Sequence, residues 1–211
     1  MTVTLPKSAK PLRARRPIDP SRDGRFARSR VTRDKIVTAL LDLVREGDVS
    51  PSAARVAETA GVGLRTVFRH FDEMDTLYRA MAEAIERQVM PLMLKPFAAT
   101  EWRDRLRELT DRRIEIYEAI MPYRISASIK RFQSAFLMQG YQRQLELERT
   151  SLHAILPQAV IDDAATASAI EVATSFQCWR RLRHDQGLAV EPARAAIFAL
   201  LEAMIARIGT P

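Results

Sequence analysis

Gly61 interrupts the run AETAGVGLRTVFRHF, residues Ala57 to Phe71, in which apolar residues on both sides recur at helical intervals. Glycine can take the left-handed backbone conformation that ends a helix, so this run divides into two short helices joined by a tight turn. Val62, Val67 and Phe71 supply the apolar contacts that hold the second helix against the first. Arg65, Thr66 and Arg69 fall on its other face. Two short helices with a polar outer face on the second form the frame of a helix-turn-helix reader of DNA.

The flanking residues extend the pattern. Val31, Ile36, Val37, Leu40, Leu41 and Val44 recur at helical spacing and stop at Gly47. Ser50-Pro51 then reads as an N-cap with proline in the first helical position, opening a helix over Ser52 to Ala60. Three helices are therefore expected before residue 74, the third carrying Arg65 to Phe71.

These residues carry a resemblance. Asp34 to Tyr78 resembles the DNA-binding domain of the tetracycline-repressor (TetR) family of bacterial transcriptional regulators, through Val56-Ala57, Ala60-Gly61-Val62, Thr66-Val67-Phe68-Arg69-His70-Phe71 and Leu77 in the family's order. It implies a dimer whose recognition helices enter successive major grooves, a small-molecule site among the middle helices, and a four-helix dimer interface at the C-terminus. Three positions depart from the family pattern. Gly63 stands where a serine caps the recognition helix, Phe68 replaces a tyrosine, and Met74 replaces a lysine that touches phosphate. Each departure removes one polar contact or cap, so part of the affinity for the DNA backbone has to come from elsewhere.

The charge distribution indicates where. Residues 1–33 hold ten Lys/Arg against Asp19 and Asp23, while the whole chain of 211 residues is only +7. The basic character therefore belongs to the N-terminal segment, with Arg25, Arg28 and Arg30 the nearest to the reader. Residues 1–28, rich in proline and poor in apolar residues, are expected as a disordered basic arm, either on DNA or simply solvated. The reader occupies residues 29–74 and an effector-binding and dimerisation domain residues 75–211.

The fold class is all-α. Alternating β-branched runs are absent, and glycine is largely confined to helix ends. No apolar run is long enough to span a bilayer and the N-terminus lacks the apolar core of a signal peptide, so a cytoplasmic location is expected. An enzyme is not expected: His70, His153 and His184 are scattered, Cys178 stands alone, and no metal-ligand spacing, phosphate loop or serine elbow occurs. No catalytic residue, metal or cofactor is assigned, and carboxylates such as Glu146 and Glu148 read as solvated helix faces.

Beyond Phe71 the reading is a succession of helices punctuated by Pro91, Pro96, Pro122, Pro157 and Pro192. One runs over about 75–90, one over about 101–121, one from Tyr123, and one after Gly140 to Leu156. Arg113 interrupts an apolar stripe, either paired as structural detail or offering a charge to a ligand. Met90, Met93, Trp102, Arg113, Tyr117, Phe132, Phe136 and Tyr141 are the candidate pocket, although such side chains at helical spacing also make plain core. A further helix opens at Asp162-Asp163 and closes at Arg180, Arg181 and Arg183, acid and base complementing its dipole. The last, from Pro192, is apolar nearly all round. A partner subunit is the natural cover, with Phe176, Trp179, Ala195, Ala199, Leu200, Ala203 and Met204 at the interface.

Together these features lead to a dimeric regulator, a repressor that binds a pseudo-palindromic operator and is released by a small apolar or aromatic effector. Arg65 and Arg69 are candidates for guanine edges or for phosphate; Thr66 and His70 are assigned to phosphate, and Phe68 is grouped with them. The rival reading is a helical small-molecule sensor or scaffold whose DNA-binding domain has weakened.

Overall fold

The computed structural model describes residues 20–208, with side chains from Phe26 onward. Residues 1–19 of the expected arm lie outside that range. Among the described residues there are ten α-helices and no strand: α1 Pro20–Arg45, α2 Ala53–Thr59, α3 Leu64–His70, α4 Met74–Met93, α5 Trp102–Lys130, α6 Ala135–His153, α7 Gln158–Asp162, α8 Ala164–Ala173, α9 Phe176–Arg180 and α10 Val190–Arg207. A π-helical turn, Arg181–Asp185, extends α9. Helix α1 begins at Pro20, so residues 20–28 are helical where an arm was expected.

Helices α1 to α3 are the three helices expected of the reader. Ile36, Leu40 and Val44 of α1 are essentially inaccessible to solvent and meet Val56 of α2, Val67 of α3 and Phe71 in the core. The cap of α2 is Ser52, two residues beyond the expected Ser50; its side chain accepts the Arg55 N–H at 3.2 Å. Pro51 therefore precedes the helix and is itself buried.

The body is arranged around α5. The sequence reading ended a helix at Met121 and another at Gly140, yet α5 runs through Pro122 and α6 through Gly140. The break falls instead at 131–134, where Ser134 caps α6 by accepting the Leu137 N–H at 3.2 Å. A local cap decided the boundary, while burial of α5 residues on both sides of Pro122 kept that helix continuous. The helix expected from Asp162 to Arg183 is likewise divided, at Thr174-Ser175. Asp163 does cap α8, accepting from the Thr166 N–H at 3.2 Å, and Ser175 caps α9, accepting from the Cys178 N–H at 3.2 Å.

That second break has a use. Arg113 is 5% exposed, and its Nη1 donates to the Thr174 carbonyl at 3.2 Å and the Thr174 hydroxyl at 2.7 Å. Its Nη2 donates to the Glu148 carbonyl and to Ser151 Oγ. The guanidinium thus joins α5 to α6 and to the α8–α9 corner through two carbonyls and two hydroxyls. Arg124, one side of α5 further on, pairs with Glu148 at 2.8 Å and lies 3.9 Å above the Phe176 ring. Glu148 is correspondingly 13% exposed and not a solvated face residue as expected. Tyr117 donates to the Thr174 carbonyl and packs edge-on against Phe176, and burial above all holds its phenol far above the ordinary tyrosine pKa.

Helix α10 closes over α5 with two bidentate ion pairs, Arg107–Glu202 and Arg194–Asp111. Replacing Arg113 by alanine would open a cavity and remove four hydrogen bonds from a charged donor, each worth about 1.5–3 kcal/mol, although Tyr117 still serves the Thr174 carbonyl and both hydroxyls keep a carbonyl partner. Urea denaturation of Arg113→Ala is expected to show a loss of at least about 3 kcal/mol.

Candidate nucleic-acid interface

The turn between α2 and α3 is built by backbone alone. Gly61 has φ +63°, its N–H reaching the Glu58 carbonyl at 3.1 Å while the Val62 N–H reaches Ala57 at 3.0 Å. This paired closure needs a left-handed residue, which glycine supplies without strain. Helix α3 then starts at Gly63, which is extended (φ −70°, ψ 146°) and has no side chain to cap the first turn.

Val67 faces inward at 1% exposure, while Leu64, Arg65, Phe68 and Arg69 are exposed and Thr66 and His70 are half-buried. The residues assigned to DNA contact on α3 therefore share one accessible surface. Its far end is fixed by a residue that sequence reasoning counted only as arm charge. Arg33 of α1 donates to the His70 carbonyl at 3.2 Å and lies 4.3 Å above the Phe71 ring. A cation at the C-terminal carbonyls of a helix is favoured by its dipole, so Arg33 acts as the C-terminal clamp of α3. The signal was its spacing of three residues before Ile36, on the turn of α1 next to the reader core.

Arg30 is exposed; Arg28 is exposed and engaged with other groups, its carbonyl accepting from the Thr32 hydroxyl at 3.0 Å. The Arg25 side chain lies outside the described residues. Met74, the first residue of α4, packs against the core alongside Leu77 and does not project as a cation would. Burial, followed by the charges of Arg69 and Arg33, holds the His70 imidazole below its ordinary pKa.

Helix α4 links this surface to the body through three contacts with the α5–α6 corner. Ser134 donates to Asp75 at 2.7 Å, Lys130 lies 5.3 Å from the Tyr78 ring centre, and Arg79 lies 4.3 Å above Phe136.

The candidate pocket residues do not converge. Arg113 and Tyr117 are buried at the α5–α6–α8 junction; Phe132 is 75% exposed at the corner, where Arg131 stacks on both it and Tyr141. Trp102 lies at the opposite end of α5 under Arg103, and Met93 is exposed. Helix geometry is the reason: α5 spans 29 residues, so at 1.5 Å per residue Trp102 and the α5–α6 corner stand about 40 Å apart. Met90 of the set lines a groove, open to solvent and about 580 Å³ in volume, with Glu83, Glu86, Arg87, Pro91 and Leu94.

Of the interface candidates, Phe176 and Trp179 are buried in their own chain, Trp179 donating to Glu118 at 2.8 Å beside the Arg183–Glu118 ion pair. Ala195, Ala199, Leu200 and Ala203 are exposed and Met204 is half-buried. Sequence reasoning missed the outer face of α8, where Ala165 and Ala169 are exposed and Val172 is 66% exposed. The near absence of large polar side chains in AATASAIEVA was the available signal.

No protein-family model matches the chain, and no curated protein does either. Two solved structures share the fold. One, a transcriptional regulator from Rhodococcus sp. Rha1, aligns with a TM-score of 0.63 at 16% identity over 85% of this chain and 99% of that one. The other, from Rhodococcus sp. and assigned to the TetR-family transcriptional regulators, aligns with a TM-score of 0.58 at 17% identity over 82% of this chain and 98% of that one.

Two outcomes follow from the reader's geometry. A Cβ at Gly63 meets nothing closer than Thr66 Oγ1 at 4.0 Å, and the backbone there already has capping geometry. Gly63→Ser is therefore expected to stabilise the domain by about 0.5–1 kcal/mol, through the cap and a less flexible unfolded chain, read by thermal denaturation. His70 has its pKa lowered by folding, so the unfolded chain takes up the proton first on acidification. Its contribution is neutral above the ordinary histidine value of about 6.5 and turns destabilising as pH falls below it. His70→Gln should remove that component, narrowing the stability lost between neutral and mildly acid pH.

Proposed function

For a chain with the fold of the TetR-family transcriptional regulators, we propose a homodimeric DNA-binding regulator that represses from a pseudo-palindromic operator and is released by a small effector. The observation that carries this is the surface of α3, where Arg65 and Arg69 project from a helix pinned at one end by the Gly61 turn and at the other by Arg33. Arginine offers a bidentate fork to guanine, and Thr66 and His70 stand at the edges of the same surface, suited to phosphate. The basic residues of the N-terminal segment supply the salt-dependent part of the affinity that Met74 does not.

Dimerisation through the outer faces of α8 and α10 accounts for their small, apolar and uncovered side chains. Two such helices from each subunit would pack closely, as alanine permits, and set the spacing between the two α3 helices. The effector is an apolar or aromatic compound bound in the body. To release DNA it must prefer the arrangement in which the readers are mis-spaced, since equal affinity for both arrangements shifts nothing. The contacts of Ser134, Lys130 and Arg79 between α4 and the α5–α6 corner provide the mechanical route.

Selection of duplexes from a random-sequence library by the purified chain, followed by affinity measurement, tests this reading. Arg65→Ala or Arg69→Ala should each weaken the selected duplex by about 1–3 kcal/mol and random DNA much less. A glutamate at Ala199 or Ala203 should abolish the dimer in sedimentation, and tight binding with it, because one half-site loses the effective concentration supplied by the other. Retention of no particular sequence would favour the sensor or scaffold reading.

A further inference from the structure

The surface of α3 carries two rows of side chains, and base or phosphate contact by the arginines accounts for only one. Leu64 is 44% exposed and Phe68 45% exposed, four residues apart and therefore stacked along one side of the helix. Arg65 and Arg69 form the parallel row one position round. Packing does not explain Leu64 and Phe68, because Val67, Val62 and Phe71 make the inward contacts. A single exposed apolar side chain is ordinary, but a pair in register beside two guanidinium groups on a seven-residue helix without a carboxylate is not.

The charge beside the apolar row selects its occupant. A surface combining arginine with exposed leucine and phenylalanine complements a polyanion that presents small apolar groups between its charges. In the major groove of DNA that group is the C5-methyl of thymine, which apolar side chains contact directly. A phenylalanine at position 68 has no hydroxyl to give to a phosphate, so its ring is left with the methyl contact.

Resting on the reading as a DNA-binding regulator, we propose that Leu64 and Phe68 are specificity-determining residues that read thymine methyl groups in each half-site. The two side chains are separated by one helical turn, about 6 Å along the axis, and base pairs rise about 3.4 Å each. The two thymines therefore lie within about two base pairs of each other, next to the positions read by Arg65 and Arg69.

Uracil in place of thymine removes the methyl and leaves every hydrogen-bonding group unchanged. In the selected duplex, each thymine of a half-site is replaced by uracil in turn, and affinity is measured for the full-length wild type, Phe68→Ser, Phe68→Leu and Leu64→Ser. Wild-type binding should weaken about four-fold at each of the two positions, the worth of one buried methyl-sized group. Phe68→Ser should lose the penalty at one position and Leu64→Ser at the other, while Phe68→Leu keeps part of it. Both side chains are exposed, so circular dichroism should be unchanged in all three variants. Equal binding to thymine and uracil at every position overturns the proposal, and would leave the apolar row for a protein partner. A uracil penalty that persists in both serine variants overturns it as well. Failure to select any duplex removes the underlying DNA-binding reading, whereas indifference to uracil in a selected duplex removes this inference alone.

Discussion

The guanidinium of Arg113 is the point from which the body is organised. A charge that deep is tolerated only when its donors are satisfied, and here the acceptors come from Thr174 at the α8–α9 corner and from Glu148 and Ser151 on α6. The division of the chain at Thr174-Ser175 exposes the carbonyl that Arg113 and Tyr117 share. Arg124, further along α5, is held differently: its Nη1 pairs with Glu148 and its guanidinium lies over Phe176, while its Nη2 is buried without a hydrogen-bond partner among the described residues. Helix α5 is therefore a charged mast inside an apolar body, and the neighbouring helices are oriented by what its arginines need.

The same mast meets the reader at its far end. Lys130 at the end of α5 and Ser134 at the start of α6 touch Tyr78 and Asp75 near the start of α4, only a few residues after α3. Arg45, on the last turn of α1, interacts with Tyr123 of α5. In the proposed function these contacts are the route by which an effector in the body would displace α1 and α4, the helices that pack around α3. Phe71 and Arg33 complete the chain of contacts at α3 itself.

Local rules made some of this legible and left the rest hidden. The Gly61 turn, the inward Val67 and the outward Arg65 and Arg69 follow from backbone geometry and period, which depend on a handful of neighbouring residues. Helix breaks were harder. Pro122 and Gly140 looked like boundaries, but tertiary burial overrode them, and the cap at Ser134 prevailed. Trp179 is expected at the dimer interface because the resemblance places the last two helices there; its partner Glu118 is 61 residues away and invisible to a local reading. The scattered pocket has the same cause, since its Met and aromatic candidates divide among α4, α5, the 131–134 break and α6.

In the proposed dimer, two copies of α3 held at a fixed separation enter successive major grooves on one face of the duplex. Affinity for a selected inverted repeat, measured before and after inserting about five base pairs between its half-sites, tests that claim directly. Half a helical turn puts the second site on the opposite face, so binding should fall to the level of an isolated half-site and recover in part with about ten inserted pairs. Affinity that is unchanged by both insertions would contradict the account.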